Sequence, residues 1–276
     1  MSGGDRLLGI EDVDPRALRQ RLSRTMLRTV AEHALIEDGD RILVAVSGGK
    51  DSYTMLDLLD RARPRAPVGF ELIAFHLDQA QPGYDGAALC GWLERSGVTF
   101  EIVREDTYSV VIERAASDPG AAYCRVCSRL RRGIVYRAAE RLGCNKVALG
   151  HHRDDALETL LLNLFYAGRL QAMPAIYTTN DGRFRVIRPL IECAESDIAR
   201  HAAQENFPIL PCNLCGSQAE LKRREVAQIL EQLERRIPNL RQVMLAALKN
   251  VRPSHLLDAD VAEAWSLRAA SYAPRR

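Results

Sequence analysis

The hexapeptide Ser47-Gly48-Gly49-Lys50-Asp51-Ser52 follows directly on the apolar run Arg41–Val46 and opens into the helical pattern of Tyr53–Ala62. A strand, a tight glycine turn and a helix start therefore meet at one lysine, which commits this part of the chain to an α/β unit. It is also an anion-binding arrangement. Glycines let backbone N–H groups approach a phosphate, the unpaired N–H groups of the first helical turn point toward it, and Lys50 adds a charge. A plain turn has no need of a lysine at a helix start, where a cation is unfavourable unless an anion neutralises it. The Walker A spacing, with four residues between its first glycine and Gly-Lys, is absent, so an ordinary P-loop kinase or GTPase is not expected.

Five strands are predicted, at Arg41–Val46, Glu71–Leu77, Thr99–Val103, Lys146–Leu149 and Arg185–Ile187. Helical periodicity runs through Pro15–Ile36, with Leu18, Leu22, Met26 and Val30 on one face, and recurs at Tyr53–Ala62, Gly86–Ser96, Ser128–Leu142, Asp155–Tyr166 and Ala194–Glu205. This alternation predicts a doubly wound, mostly parallel five-stranded α/β sheet with helices on both faces, an N-terminal helix and a C-terminal helical segment. The organisation expected is 1–38 helical, 39–210 the α/β domain, 211–260 a helical segment (helices at Gln218–Arg236 and Asn239–Lys249), and 261–276 a tail. In such sheets ligands sit beyond the carboxyl ends of the strands. The segments to watch are therefore Ser47–Ser52, Asp78–Tyr84 and Gly150–Asp155.

With 276 residues, 47% of them hydrophobic, the chain can bury a sizeable core without a second globular domain. A net charge of +2 announces no nucleic-acid partner, so any basic surface must come from clusters such as Arg125, Arg129, Arg131 and Arg132, or Lys222–Arg224, or Arg235–Arg236. Solvated helix faces explain each cluster taken alone. The N-terminal residues carry neither a basic leader nor an apolar core, and the longest apolar stretch, Leu157–Ala167, is interrupted by Glu158 and Asn163, so a cytoplasmic protein with no membrane partner is expected. Seven cysteines in a reducing compartment argue for metal, redox or sulfur chemistry rather than disulfides.

Two pairs stand out, Cys124-Arg-Val-Cys127 and Cys212-Asn-Leu-Cys215. Each can place two thiolates on one metal. Zinc ribbons space their pairs about 12–20 residues apart, whereas these are separated by most of the α/β core; a site bridging two parts of one fold remains open to zinc or to an iron–sulfur cluster. Cys90, Cys144 and Cys193 read as small buried residues without a role. Gly150-His151-His152-Arg153-Asp154-Asp155 supplies two histidines and two acids at a strand end. An aspartate there caps the following helix, and a carboxylate beside a triphosphate is also what Mg²⁺ takes. The histidines are equally well explained as packing residues.

The Ser47–Ser52 string resembles the pyrophosphate loop of the N-type ATP pyrophosphatases, which cleave ATP between the α and β phosphates and adenylate a substrate oxygen. Together with Cys124-x-x-Cys127-Ser-Arg-Leu-Arg-Arg-Gly133, Gly150–Asp155, Pro211-Cys-Asn-Leu-Cys-Gly-Ser-Gln218 and Asn250-Val-Arg-Pro-Ser-His255, it resembles the tRNA 2-thiocytidine synthetase family over roughly residues 16–256. The resemblance implies ATP-dependent replacement of the C2 oxygen of cytidine 32 in the tRNA anticodon loop by sulfur, through an adenylated intermediate. It also implies a [4Fe-4S] cluster as sulfur carrier, Mg²⁺, a cysteine desulfurase as sulfur source, and a homodimer.

Carried onto this sequence, Lys50, Asp51 and Asp154 are the candidate catalytic residues. Ser47, Gly48, Gly49, Lys50, Asp51, Ser52, Asp78, Gly150 and His151 are the candidate nucleotide-binding residues. Cys124 and Cys127 are two cluster ligands, and the third is Cys212 or Cys215; Cys215 is preferred because Gly216 beside it lets the backbone approach a bulky cluster. Asp155 is the candidate Mg²⁺ ligand, and Arg125, Arg129, Arg131 and Arg132 are candidate tRNA contacts. The rival expectations are another tRNA-adenylating enzyme, such as a zinc-dependent thiolase or a lysidine synthetase (whose chemistry needs no cysteine pairs), or a non-catalytic, zinc-stapled RNA-binding protein.

Overall fold

The computed structural model describes residues 14–117, 123–210 and 218–271. Helix α1 spans Pro15–Glu32, started by Asp14, whose side chain accepts the Arg16 N–H, and by proline in its first turn. Leu18, Leu22, Met26 and Thr29 form its buried stripe, and the helix stops short of the expected Ile36 because Ala34 takes a left-handed conformation (φ +47°).

The sheet is built from β1 (Asp40–Ala45), β2 (Phe70–Asp78), β3 (Thr99–Arg104), β4 (Lys146–Ala148), β5 (Ile176–Thr178) and β6 (Arg185–Ile187), in the order β3-β2-β1-β4-β6-β5. It has six strands rather than the five expected. The extra one, β5, is a three-residue edge strand antiparallel to β6, too short to show a period in the sequence. All other pairings are parallel.

The helices between the strands are α2 (Lys50–Ala62), α3 (Ala87–Ser96), α4 (Thr107–Ser117), α5 (Tyr123–Arg141) and α6 (Arg153–Leu162, continued by a π-helical turn to Ala167), and α7 (Glu195–Gln204) follows the last strand. Helix α4 was not expected, because its β-branched run Val110-Val111-Ile112 hides the helical period. Burial alternates along the strands as a doubly wound sheet requires. Ile42, Val44, Leu72, Ala74 and Ala148 face one core with α1, α2, α3 and α7; Leu43, Ile73, Phe75 and Val147 face the other with Ile134, Ala138 and Ala139 of α5.

At the amino edge of the sheet Lys146, 1% exposed, is neutralised by Asp40 at 2.6 Å and Glu37 at 2.8 Å. At the carboxyl edge, strand order reverses between β1 and β4, the crevice where such sheets bind ligands. Two compact units, residues 1–229 and 230–276, divide the chain within α8 (Gln218–Glu234). The second unit carries α9 (Leu240–Lys249) and α10 (Ala259–Ser271), so the stretch expected as a tail is helical as far as Ser271.

The two turns flanking the switch point touch at Gly150. A Cβ there would lie 3.2 Å from the Asp51 carbonyl carbon and from the Ser52 nitrogen, and 3.3 Å from the Asp51 carbonyl oxygen. All three are backbone atoms and cannot rotate away. Gly150→Ala is therefore expected to destabilise the protein by about 1–3 kcal/mol through overpacking. In denaturant unfolding the midpoint should fall with the slope unchanged.

Candidate nucleotide site at the switch point

Beyond β1 the chain must turn sharply into α2, and the turn is held by its own side chains. Ser52 Oγ accepts the Ser47 N–H at 3.1 Å and donates to the Gly49 carbonyl at 2.9 Å, while the Gly49 N–H reaches Ser47 Oγ at 3.4 Å. Gly48 has φ +85°, and a Cβ there would meet Leu210 Cδ1 at 2.6 Å. The Leu210 N–H in turn donates to the Gly48 carbonyl at 2.9 Å. Buried Tyr53 fixes this arrangement, stacking on Phe207, meeting the Trp92 edge and donating its hydroxyl to the Pro208 carbonyl. The N-cap of α2 is Gly49, so no cap side chain covers the first helical N–H groups, which leaves an anion-binding end.

Lys50 is half-buried, with Nζ 3.3 Å from Asp51 and 3.0 Å from Glu195. Burial pulls its pKa down, but the carboxylates of Asp51 and Glu195 outweigh this and raise it, so it stays charged. Burial pushes Asp51 above the usual carboxylate range, against the opposing pull of His152 and Lys50. Its Oδ1 is buried and accepts no hydrogen bond; His152 Nε2 is 3.7 Å away.

The second turn, after β4, caps α6 reciprocally: Asp155 accepts the His152 N–H at 3.1 Å and donates its own N–H to His152 Nδ1 at 3.4 Å. Asp155 also faces Arg223 at 3.7 Å and lies 3.4 Å from His152 Nε2. Asp154 is buried and accepts the Glu195 N–H at 2.9 Å, fixing the start of α7 and with it the carboxylate that reaches Lys50. His151 Nδ1 accepts from Arg188 Nε at 3.3 Å, and burial, with Arg188 beside it, lowers this imidazole to about 4.

At the end of β2, Asp78 accepts the Ala80 N–H at 2.8 Å. The next residue, Gln79, accepts from Thr107 at 3.2 Å and from Cys127 Sγ at 3.7 Å. Cys127 on α5 therefore lies at the same carboxyl edge as the Ser47–Ser52 turn. Cys124 precedes it by three positions on α5, though its side chain and that of Arg125 lie outside the described residues. Cys212, Cys215 and Gly216 also lie outside them. Arg129, Arg131 and Arg132 are exposed. Further along the same helix Arg137 pairs with Glu105 and Arg141 with Glu101, whereas Arg129 and Arg131 have no carboxylate partner among the described residues. Cys144 and Cys193, expected to have no role, are buried thiols pushed up to about 11 and about 12 by desolvation. Among the described residues no helix is long and apolar enough to cross a membrane.

Sequence reasoning missed several residues of this edge. Glu158, pushed up to about 7 by burial, sits one turn beyond Asp154 and Asp155 on α6, and helical spacing could have found it. Glu195 and Arg188 arrive from separate elements with no local signal, while Arg223 belongs to the basic cluster Lys222–Arg224 without any local sign that it faces Asp155. His76 was hidden as a strand residue: its Nδ1–H donates to the Val46 carbonyl at 2.7 Å, so Nε2 accepts the Tyr84 hydroxyl at 2.6 Å, clamping the loop after β2 over the end of β1.

A PP-loop domain family matches residues 18–209. A tRNA-cytidine(32) 2-sulfurtransferase of Sorangium cellulosum is 53% identical over 253 residues, covering 92% of this chain and 89% of the relative. A protein of the same name from Verminephrobacter eiseniae is 49% identical, covering 94% and 82%. Among solved structures, the U34-tRNA thiolase NcsA from Methanococcus maripaludis with its [4Fe-4S] cluster superposes with a TM-score of 0.64 at 21% identity, over 87% of this chain and 81% of that one, a likeness of fold. The strand–glycine turn–helix cradle, its partner turn at Gly150 and this identity across nearly the whole length agree: the chain belongs to the tRNA-cytidine(32) 2-sulfurtransferase family of PP-loop proteins.

Proposed function

We propose that this chain thiolates tRNA, using ATP to replace the C2 oxygen of cytidine 32 with sulfur. Its family membership and the fold of its thiolase neighbour support tRNA thiolation by a PP-loop enzyme. One observation carries the finer reading: an uncapped helix start with a charged lysine and a buried thiol at Cys127 occupy one edge of one sheet.

A pyrimidine C2 oxygen is a poor leaving group. Attack of that oxygen on the α-phosphorus of ATP, with rupture of the bond to the bridging oxygen, releases pyrophosphate and leaves the base oxygen as part of a phosphate ester. That oxygen can later depart as AMP. The α2 amides and Lys50 bind the departing pyrophosphate, whose charge grows as the bond breaks, which is the role of a preorganised electrostatic clamp. Glu195, set by Asp154, holds the lysine in place, so Asp154 acts through position. Ser52 shapes the loop, and Gly48 and Gly150 admit the backbone approaches it needs.

The donor set fits the groups the reaction calls for. Asp51 Oδ1, buried and without a hydrogen bond although Lys50 Nζ lies 3.3 Å away, suits Mg²⁺, and Asp155 flanks the same imidazole as a second carboxylate. Cys127 is a free thiol, and with Cys124 on the same helix and Cys215 or Cys212 it would hold a [4Fe-4S] cluster. Such a cluster, held by three thiolates, supplies an iron position at which sulfur can be carried. A cysteine desulfurase as the sulfur source, a homodimer and a cytoplasmic location belong to the same reading. Arg129, Arg131 and Arg132, with Arg125 beside them in sequence, would grip phosphates around the anticodon loop, whose unstacked bases are the least costly to extrude.

Two outcomes test this reading. Anaerobically purified protein should be brown, with iron and acid-labile sulfide, and Lys50→Ala should stay brown while ATP-dependent thiolation falls by about 10²-fold or more; colourless protein with one zinc would favour a zinc-dependent thiolase. Arg129→Gln with Arg131→Gln should weaken tRNA binding and flatten its log–log salt dependence by about 1.5, with MgATP affinity unchanged. Equal tRNA affinity at every salt concentration would remove these arginines from the interface.

A further inference from the structure

Arg188 is the first residue beyond β6 and so lies on the same carboxyl edge as the turns after β1 and β4. It is 8% exposed, and no carboxylate lies within ion-pairing distance of it among the described residues. A buried guanidinium without a counter-ion is costly and calls for an explanation. It donates to the Pro174 carbonyl at 2.8 Å and to His151, and it also interacts with Tyr177, whose ring centroid lies 5.1 Å from the guanidinium carbon and whose hydroxyl it hydrogen-bonds.

The contact with His151 has a strict chemical consequence. Guanidinium nitrogens only donate, and arginine keeps its proton in proteins. The Nδ1 atom that receives the Arg188 Nε–H must therefore present a lone pair, and a neutral ring then carries its hydrogen on Nε2. Charge on the ring is opposed from several sides. Burial comes first, then Arg188 from the end of β6; Arg223 of α8 and neighbouring His152 act in the same sense, and only Asp155 of α6 acts against them. His151 directly follows Gly150, where an added Cβ would lie 3.2 Å from the backbone of Asp51 and Ser52 at the start of α2, so the residue stands on the turn that meets the Ser47–Ser52 cradle.

We propose that Arg188 is a positioning residue that locks His151 in the Nε2–H form, a neutral donor serving a phosphoryl oxygen of the nucleotide in the Ser47–Ser52 cradle. The identity of the acceptor rests on the nucleotide reading above; the tautomer does not. The device gives the site a hydrogen-bond donor of fixed orientation whose strength is raised by the cation behind it, without adding a second titrating charge next to Lys50.

The test begins with the wild-type full-length protein. Long-range ¹H–¹⁵N spectra of the histidine rings, with His151 assigned by its loss in His151→Gln, should show Nε2 protonated and Nδ1 bare between about pH 6 and 8. A wild-type ring protonated on Nδ1 would overturn the proposal whatever the variants do. Arg188→Met should give mixed tautomers and protonation toward the acid end of that range. Arg188→Gln, whose amide can still donate to Nδ1, should restore the Nε2–H form; a ring unchanged in Arg188→Met would also overturn the lock.

Titration with MgATP then reads the acceptor, each variant being compared with wild type at the same pH so that the nucleotide's own protonation cancels. His151→Phe should bind about tenfold more weakly, the loss of one hydrogen bond to a charged group. Arg188→Met should bind more weakly at the alkaline end and recover at the acid end as its imidazole becomes charged. Wild-type affinity in His151→Phe would overturn the assigned acceptor. Failure of the wild type to bind MgATP at all would strike the nucleotide reading, with the tautomer still judged by the spectra.

Discussion

The closeness of two turns governs the carboxyl edge. The chain leaving β4 passes within 3.2 Å, measured from an ideal Cβ, of the backbone that begins α2, and this is tolerable only because residue 150 is glycine. Were the turns held further apart, His152 would lose its proximity to Asp51, and Asp154 its hold on the start of α7. Glu195 reaches Lys50 only through that hold. A missing methyl group thus decides where four charged side chains stand. Strand order makes the contact possible, since β1 and β4 are neighbours whose connections run to opposite sides of the sheet.

Charge is distributed between the two edges in different ways. At the amino edge Lys146 is fully buried but closed off by Asp40 and Glu37, with Asn145 donating to Asp40, so its charges are spent on one another. At the carboxyl edge the compensation is incomplete: Asp51 has a buried oxygen without a hydrogen bond, Glu158 is pushed toward neutrality, and the α2 amides meet no cap side chain. Unbalanced polar groups of this kind are destabilising in a protein without ligands, and on the proposed reading a phosphate and a divalent cation would supply the missing partners. That contrast, more than any single residue, separates the functional edge from the structural one.

Much of this was legible in the sequence because it rests on local patterns. Five strands, most of the helices and the Ser47–Ser52 turn follow from apolar period and glycine placement within a few residues of each other. That one of the two aspartates, Asp154 or Asp155, would cap α6 also followed from their place before an apolar run; in the structure it is Asp155. What escaped was set by tertiary contact or by length. Strand β5 exists only as a partner for β6, and α4 is helical despite a β-branched run that favours a strand. Glu195 and Arg188 are ordinary surface-type residues in the sequence, and acquire meaning only because α7 begins and β6 ends beside the switch point. Asp154 reads as one of two equivalent acids, yet the structure separates them: it ties α7 down, while Asp155 closes α6 and faces Arg223.

The location of Cys127 bears on why a nucleotide loop and a thiol centre share one small domain. In the proposed reaction the C2 oxygen is first activated and then replaced, and an activated ester exposed to water between the two steps would be lost to hydrolysis. On that reading both steps would occur within a single extrusion of the base. A parallel sheet solves the geometry directly, because all its strands deliver their following loops to the same edge; Gln79, leaving β2 next to β1, touches Cys127 on one side while β1 itself ends in the phosphate cradle on the other. Helix α5 then presents Arg129 and Arg131, without a carboxylate partner among the described residues, from the same end that bears the cysteines, while the far end is neutralised by Glu101 and Glu105 of the β3 region. On the proposed reading an incoming polyanion would be drawn to the thiol end of the helix, so that the field attracting the RNA would also orient it.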